Sequence, residues 1–411
     1  MTTTATSTPT VQPTPAPKAQ AVTILAQGFG QETDGRQVGW AFMIENPNPG
    51  LAVESSQYQI ALSDDSGTIR KTVSGYIGLL LPSEQTAVSG TTILPEGTKA
   101  TKLDITFKQG NTGTIDVAGK FTADKVTYLA NGYVPAVSGI ISNPFNKDLE
   151  NLRLSAVAYD ESNKIIGSGY TFLNFILAGG KSGVTVSMTS SADPAHVELY
   201  ASISALTTLA DSTSKPVTGE PLVISSQGFG QSSDLSRVGF GFIMENPNKD
   251  QAYEDTMYQV AAYDENGVVI GDESGAIELL LPGQKLGSAG ELSLPDGKTA
   301  ARVEVQVLKG DPSTTTIMEM FTSENVTYVA DKYFPKVTGV VKNLTDKTLE
   351  DIRVSAIAYN DAGQIVGGGY TYVDFVRANA QIAAEVRITT KEVPARVELY
   401  PVVTSLTSLA P

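Results

Sequence analysis

The feature that most constrains this chain is that it is written twice. Gln27-Gly28-Phe29-Gly30-Gln31 returns as Gln227-Gly228-Phe229-Gly230-Gln231, and Glu45-Asn46-Pro47-Asn48 returns as Glu245-Asn246-Pro247-Asn248. Val197-Glu198-Leu199-Tyr200 likewise returns as Val397-Glu398-Leu399-Tyr400. The spacing never changes, and a gap-free match at roughly 38% identity over about 188 positions marks a tandem duplication. One copy of a fold must therefore fit in about half of the 411 residues. Chemistry that needs a residue present only once can occur in one copy at most. The single His is such a residue: His196 faces Arg396 in the repeat.

Within a copy the apolar period is two. Val38, Trp40, Phe42 and Ile44 share one face of an extended segment, with Gln37, Gly39, Ala41 and Glu45 on the other, and Val238, Phe240, Phe242 and Met244 repeat the pattern. Leu152, Leu154, Ala156 and Ala158 share a face in the same way, with Arg153, Ser155 and Tyr159 pointing away. Half-buried strands punctuated by Gly, Asn, Asp and Pro indicate antiparallel sandwiches, and no amphipathic helix longer than two turns is present. A second, weaker repetition divides each copy. Val38 to Pro47 is echoed by Val137 to Pro144, and an acidic turn between two strands occurs four times, at Asp64, Asp160, Asp264 and Asn360.

The expected fold is therefore all-β, with four immunoglobulin-like antiparallel β-sandwich modules in two tandem pairs, A-B-A-B. The expected divisions are a Thr/Pro-rich spacer at 1–20, modules at 21–122 and 123–209, a linker at 210–220, and modules at 221–322 and 323–411. The spacer lacks the apolar surface that ordering requires.

Composition narrows the function classes. Twenty-nine basic against 44 acidic residues give a net charge of −15, which opposes a phosphate backbone or an anionic membrane. With no Cys, thiol chemistry, disulfides and Cys-ligated metals are excluded. No stretch approaches the 18 apolar residues of a membrane helix. A Thr/Pro spacer before a β-rich body suits a domain that stands off a surface, so an extracellular or cell-surface location in a prokaryotic envelope is expected, with any export signal or lipid anchor upstream of Met1.

The order Val-x-Gly, Asn-Pro, a strand ending in Ala-Tyr-Asp, an acidic turn, Ile-Ile-Gly and a Gly turn resembles the FxLYD-type immunoglobulin-like domains of bacterial and archaeal envelope proteins. The residues that carry it are Val137, Gly139, Asn143, Tyr159, Asp160, Ile165, Gly167 and Gly180, with Val337, Gly339, Asn343, Tyr359, Asn360, Ile365 and Gly367 in the second copy. Val157 and Ala158 stand where that family has its Phe and Leu. Asn46-Pro47-Asn48 and Asn246-Pro247-Asn248 are similar to the Asn-Pro-Asn of water-stress (WHy) sandwich domains. The resemblance implies secreted or lipid-anchored proteins and a sandwich fold. It implies no reaction, because such sandwiches host unrelated roles.

Candidate sites are few. Tyr170 with Phe172, and Tyr370 with Tyr372, lie on one face of a strand, where rings can stack on a sugar or a partner, or can simply cover a sheet. They are the candidate ligand-binding residues. The Asp and Glu of the acidic turns read as hairpin chemistry, against the alternative of calcium ligands. Gln27 to Gln31 reads as a bulge or bend and not a phosphate loop, since no helix follows. Asn46 reads as a turn-capping residue. Asn325-Val326-Thr327 and Asn343-Leu344-Thr345 match the glycan-acceptor pattern. Glu45, Glu54, Glu150 and Glu198 recur at Glu245, Glu254, Glu350 and Glu398, leaving room for a carboxylate-based glycan hydrolase. No catalytic residue, metal or cofactor is assigned. The expectation is a non-catalytic protein acting in structure, adhesion or assembly, with envelope protein, polysaccharide or its own copies as partner. Its alternatives are a polysaccharide-binding module and a glycan hydrolase.

Overall fold

A computed structural model describes residues 19–32, 35–115, 119–130, 134–209, 219–315, 317–331, 334–407 and 409–410. The spacer expected at 1–20 and the linker expected at 210–220 lie outside these, except for their last two residues. Among the described residues every regular element is a β-strand, so the chain is all-β. The described strands form eight antiparallel sheets. Nearly every strand of the first copy has a counterpart 200 residues on, as Gln37–Glu45 has Arg237–Glu245 and Ile165–Ile176 has Ile365–Val376.

The sheets pair around four large apolar cores. The first core joins Val38, Trp40, Phe42 and Ile44 from the sheet centred on Gln37–Glu45 to Tyr58, Ile60, Leu62 and Ile77 from the sheet centred on Ala52–Ser63. Tyr58 lies edge-on to Phe42, with ring centroids 5.4 Å apart. The second core joins Val137, Ile141 and Val184 to Leu152, Leu154, Ala156 and Leu199. The third and fourth cores use the equivalent residues of the second copy, among them Phe240, Phe242 and Tyr258, then Val337, Ile352 and Val354. Thr122–Leu129 and Phe321–Val329, the first strands of the second and fourth sheet pairs, run across the expected divisions at 122/123 and 322/323.

The period-two pattern places its core residues correctly but misses what lies on the other face. Gln37–Glu45 is buried on both sides, because Ala41 and Met43 pack on Val157, Tyr159 and Ile165 of the next sheet pair. The sheet pairs thus stack face to face, and small residues make the close approach possible. A Cβ on Gly28 would lie 2.6 Å from the Ile165 carbonyl oxygen, and one on Gly30 would overlap the Ile166 oxygen outright. Gly39 meets Ser168 and Thr189 in the same manner. The second copy repeats this at Gly228 against Ile365, Gly230 against Val366 and Gly239 against Thr389. Hydrogen bonds cross the same seam, from Ser168 Oγ to the Trp40 carbonyl (2.7 Å) and from Ser89 Oγ to the Gly169 carbonyl (2.6 Å).

A different seam joins the two copies. There the sheet holding Lys181–Ser187 lies on the sheet holding Ala252–Tyr263 and Val269–Leu280. Ile140 packs on Ala261, Tyr263 and Val269, Gln259 Nε2 donates to Ser182 Oγ (2.6 Å), and Thr185 Oγ1 donates to the Asp272 carboxylate. The second and third sheet pairs therefore have both outer faces covered.

Candidate functional site

The four candidate aromatic residues lie on the strands Ile165–Ile176 and Ile365–Val376, which border the glycine-lined seams. The alternation of a strand puts every second side chain on the same side, and this sets Tyr170 beside Phe172 and Tyr370 beside Tyr372. Each pair is edge to face, with centroids 6.2 Å apart in the first copy and 5.9 Å in the second. An arginine from the neighbouring strand occupies one face of the leading ring. Arg153 lies 4.3 Å from the Tyr170 centroid, and Arg353 lies 3.9 Å from that of Tyr370. Each guanidinium is held in turn, Arg153 donating to the Ser89 carbonyl and Arg353 to the Ala289 carbonyl (2.6 Å) and the Tyr258 hydroxyl (3.0 Å). The rings are thus positioned from beneath through a cation–π contact and remain open above. Tyr170 and Tyr370 are each 40% exposed and Tyr372 is 42% exposed, while Phe172 is half-buried. The arrangement offers one ring face and one ring edge per copy.

The other candidates are explained by the fold. In the acidic turns one side-chain oxygen is taken up by turn amides: Asp64 accepts from Ser66 N (2.9 Å) and Thr68 N (3.0 Å), and Asp160 from Ser162 N (2.9 Å) and Lys164 N (3.0 Å). Asn360 does the same work without a charge, accepting from Ala362 N and Gln364 N. The Ser66 hydroxyl, the Arg70 guanidinium and the Thr68 amide hold Asp64 down at about 2. Gln27 to Gln31 pairs in regular register with Val38 to Phe42, and the bulge of this strand falls earlier, between Ile24 and Ala26. Its glycines serve the seam and are not a bend, a role that period and composition did not reveal.

Four buried asparagines pin the loops. Asn46 Nδ2 donates to the carbonyls of Leu51 (2.7 Å) and Leu81 (2.9 Å), and Asn143 Nδ2 donates to those of Lys147 and Leu177, both at 2.9 Å. Asn246 and Asn343 repeat the device. Asn343, buried completely, is thereby closed to a glycan, whereas Asn325 is exposed. His196 stacks flat on Tyr159, with centroids 4.6 Å apart and planes 5° apart, and Arg396 covers Tyr359 at 4.0 Å. Both are planar groups on a cross-strand Tyr, and Arg302 over Tyr263 makes a third case.

The recurring glutamates are spread over separate strands and take local partners. Glu45 accepts from Gln85, Glu245 from Lys285, Glu198 from Tyr200 and Glu254 from Ser313. A groove of about 1120 Å³ beside Gln27 to Gln31 is lined by other charges, Glu32, Glu96, Arg36, Lys99, Lys102 and Lys164. Among the described residues no group of three His, Asp or Glu is arranged to hold a metal ion, and no helix is long and apolar enough to cross a membrane.

No family model and no curated protein sequence matches the chain. Among solved structures, Escherichia coli alpha-2-macroglobulin activated by porcine elastase aligns with 94% of this chain and 44% of its own, at 9% identity and a TM-score of 0.14. Dimeric latent PorU from Porphyromonas gingivalis aligns with 89% of this chain and 30% of its own, at 9% identity and a TM-score of 0.14. The BSP domain of a biofilm associated protein aligns with 96% of this chain and 97% of its own, at 8% identity and a TM-score of 0.12. The chain spans less than half the length of the first two. Overlap this slight establishes no common fold with any of them.

Proposed function

We propose that this chain is a non-catalytic scaffold of a prokaryotic cell envelope, working outside the cytoplasm in display, adhesion or assembly. It consists of four immunoglobulin-like sandwich modules, A-B-A-B, with the second and fourth beginning at the strands Thr122–Leu129 and Phe321–Val329. The observation that carries this reading is the backbone-to-backbone packing of successive sheet pairs at Gly28, Gly30 and Gly39 and at their repeats. Modules on flexible linkers reorient freely, and sheets locked face to face do not. Fixed spacing and repeated surfaces are what a scaffold needs, and a strongly acidic surface keeps such an array soluble.

Small-angle X-ray scattering on the full chain tests the reading. One fixed arrangement of the four sheet pairs should account for the whole curve at low and at high salt. A curve that demands a broad spread of arrangements overturns it.

The second reading is a polysaccharide-binding module, favoured by the exposure of Tyr370 and Tyr372. Replacing both with Ala should abolish retention on an envelope polysaccharide column and leave the melting curve unchanged. A lower melting point with no change in retention would make them packing residues only.

A further inference from the structure

The seam between the two copies has two unjoined relatives in the same chain. On the first sheet pair, the face equivalent to that of Ala252–Tyr263 and Val269–Leu280 is open: Ile69 is 59% exposed where Val269 is 0%. On the fourth, the face equivalent to that of Lys181–Ser187 is open as well. Gly183 is buried under the second copy, whereas its counterpart Ala383 is exposed.

We propose that these two faces bind each other between molecules: the fourth sheet pair of one chain docks on the first sheet pair of a second copy, reproducing the internal seam. The inference rests on the scaffold reading and adds its partner.

The residue exchanges at the free faces are matched. Inside the chain the Thr185 hydroxyl donates to the Asp272 carboxylate. At the free faces the hydroxyl and the carboxylate have changed sides, with Glu385 in the place of Thr185 and Thr72 in the place of Asp272. Gly183 must be a glycine because a Cβ there would lie 2.7 Å from the Tyr263 hydroxyl and 2.9 Å from Val269 Cγ2. Its counterpart Ala383 has the methyl group, and Ser63 stands in the place of Tyr263, removing the nearest of the groups that a Cβ meets at the internal seam. Asn174 Nδ2 donates to Ser274 Oγ at 2.9 Å, and the corresponding Asp374 and Ser74 keep an acceptor opposite a donor. Phe375, next to Asp374, is 46% exposed where its counterpart Phe175 is buried completely, and it supplies a large apolar contact. Glu385 is at present paired with Lys336 at the surface, a contact weak enough to be exchanged. Because the two faces differ, the contact is heterologous, and its repetition gives an open head-to-tail chain of molecules.

Sedimentation velocity on the full chain over a concentration series provides the test. The unaltered protein should form dimers and longer species as concentration rises. Thr72→Asp sets two carboxylates against each other and should weaken association at least about tenfold. Adding Glu385→Thr to Thr72→Asp rebuilds the internal Thr–Asp pair and should restore it. Thr72 is exposed in the free chain, so the melting point should hold in both variants. A protein that stays monomeric at every concentration, or a Thr72→Asp variant that associates like the original, overturns the inference. A monomer whose scattering still fits one rigid arrangement would leave the scaffold reading standing.

Discussion

Glu84 and Gln284 close the same turn in the two copies, and only one of them can ionise. Each accepts a hydrogen bond from the amide three residues before it, Leu81 N to Glu84 Oε2 at 2.5 Å and Leu281 N to Gln284 Oε1 at 2.8 Å. Glu84 is only 5% exposed, and burial pushes its carboxyl up to about 7 against the pull of the Leu81 amide and of Lys120. The geometry of the turn therefore asks for an acceptor and not for a charge. The copies hold the same shape with different electrostatics, and they differ again where one has a neighbour that the other lacks.

The largest effect is expected where a seam is pushed open. Gly30→Val places a branched side chain on the Ile166 carbonyl, and Gly230→Val does the same at Val366. Each should cost at least about 3 kcal/mol and uncouple one neighbouring pair of cores, seen in calorimetry as a transition that splits. Equal losses from the two variants would show that the seams are equivalent. A variant that melts as the original does would mean that the sheets were never in contact there.

Glu84→Gln removes the electrostatic difference. The carboxyl of Glu84 titrates near 7 in the folded protein against an ordinary 4.5. Its contribution to stability is therefore fully present below 4.5 and is lost as pH rises through 7, by about 3 kcal/mol. The Gln variant should match the original at pH 4 and exceed it at pH 8 by about that amount in denaturant titrations. Equal stability at both pH values would place the carboxyl in water.

The smallest effect is expected at the stacked pair. His196→Arg copies the second copy's Arg396 over Tyr359 and should change stability by less than about 0.5 kcal/mol. His196→Ala uncovers the Tyr159 ring and should cost more than the Arg substitution in the same melt.

Much of this was legible in the sequence because it is local. Val38 to Ile44 alternate, the Asp and Asn of the turns bond to amides two and four residues on, and Asn46 caps the loop that follows it. What stayed hidden depends on partners far along the chain. Gly28 and Gly30 look like a bend until Ile165 and Ile166 are brought against them, and Ala41 looks solvent-facing until Val157 covers its side of the strand. Ile69 and Val269 carry nearly the same side chain at the same register, and only the presence of a neighbouring sheet makes one exposed and the other buried. The aromatic pairs were visible as pairs. The arginines beneath them were not, since Arg153 and Arg353 come from the adjoining strand in register with Phe172 and Tyr372.

The second asparagine of each Asn-Pro-Asn triplet fastens the beginning of its own copy. Asn48 exchanges two hydrogen bonds with the backbone of Gln20, at 2.7 and 2.9 Å, and Asn248 exchanges two with Glu220 at the same distances. Every copy thus brings its own latch for the chain that leads into it. A gene segment with that property behaves as a cassette: adding or deleting one whole unit leaves every remaining latch intact, so the length of such a protein can evolve by recombination in steps of one repeat.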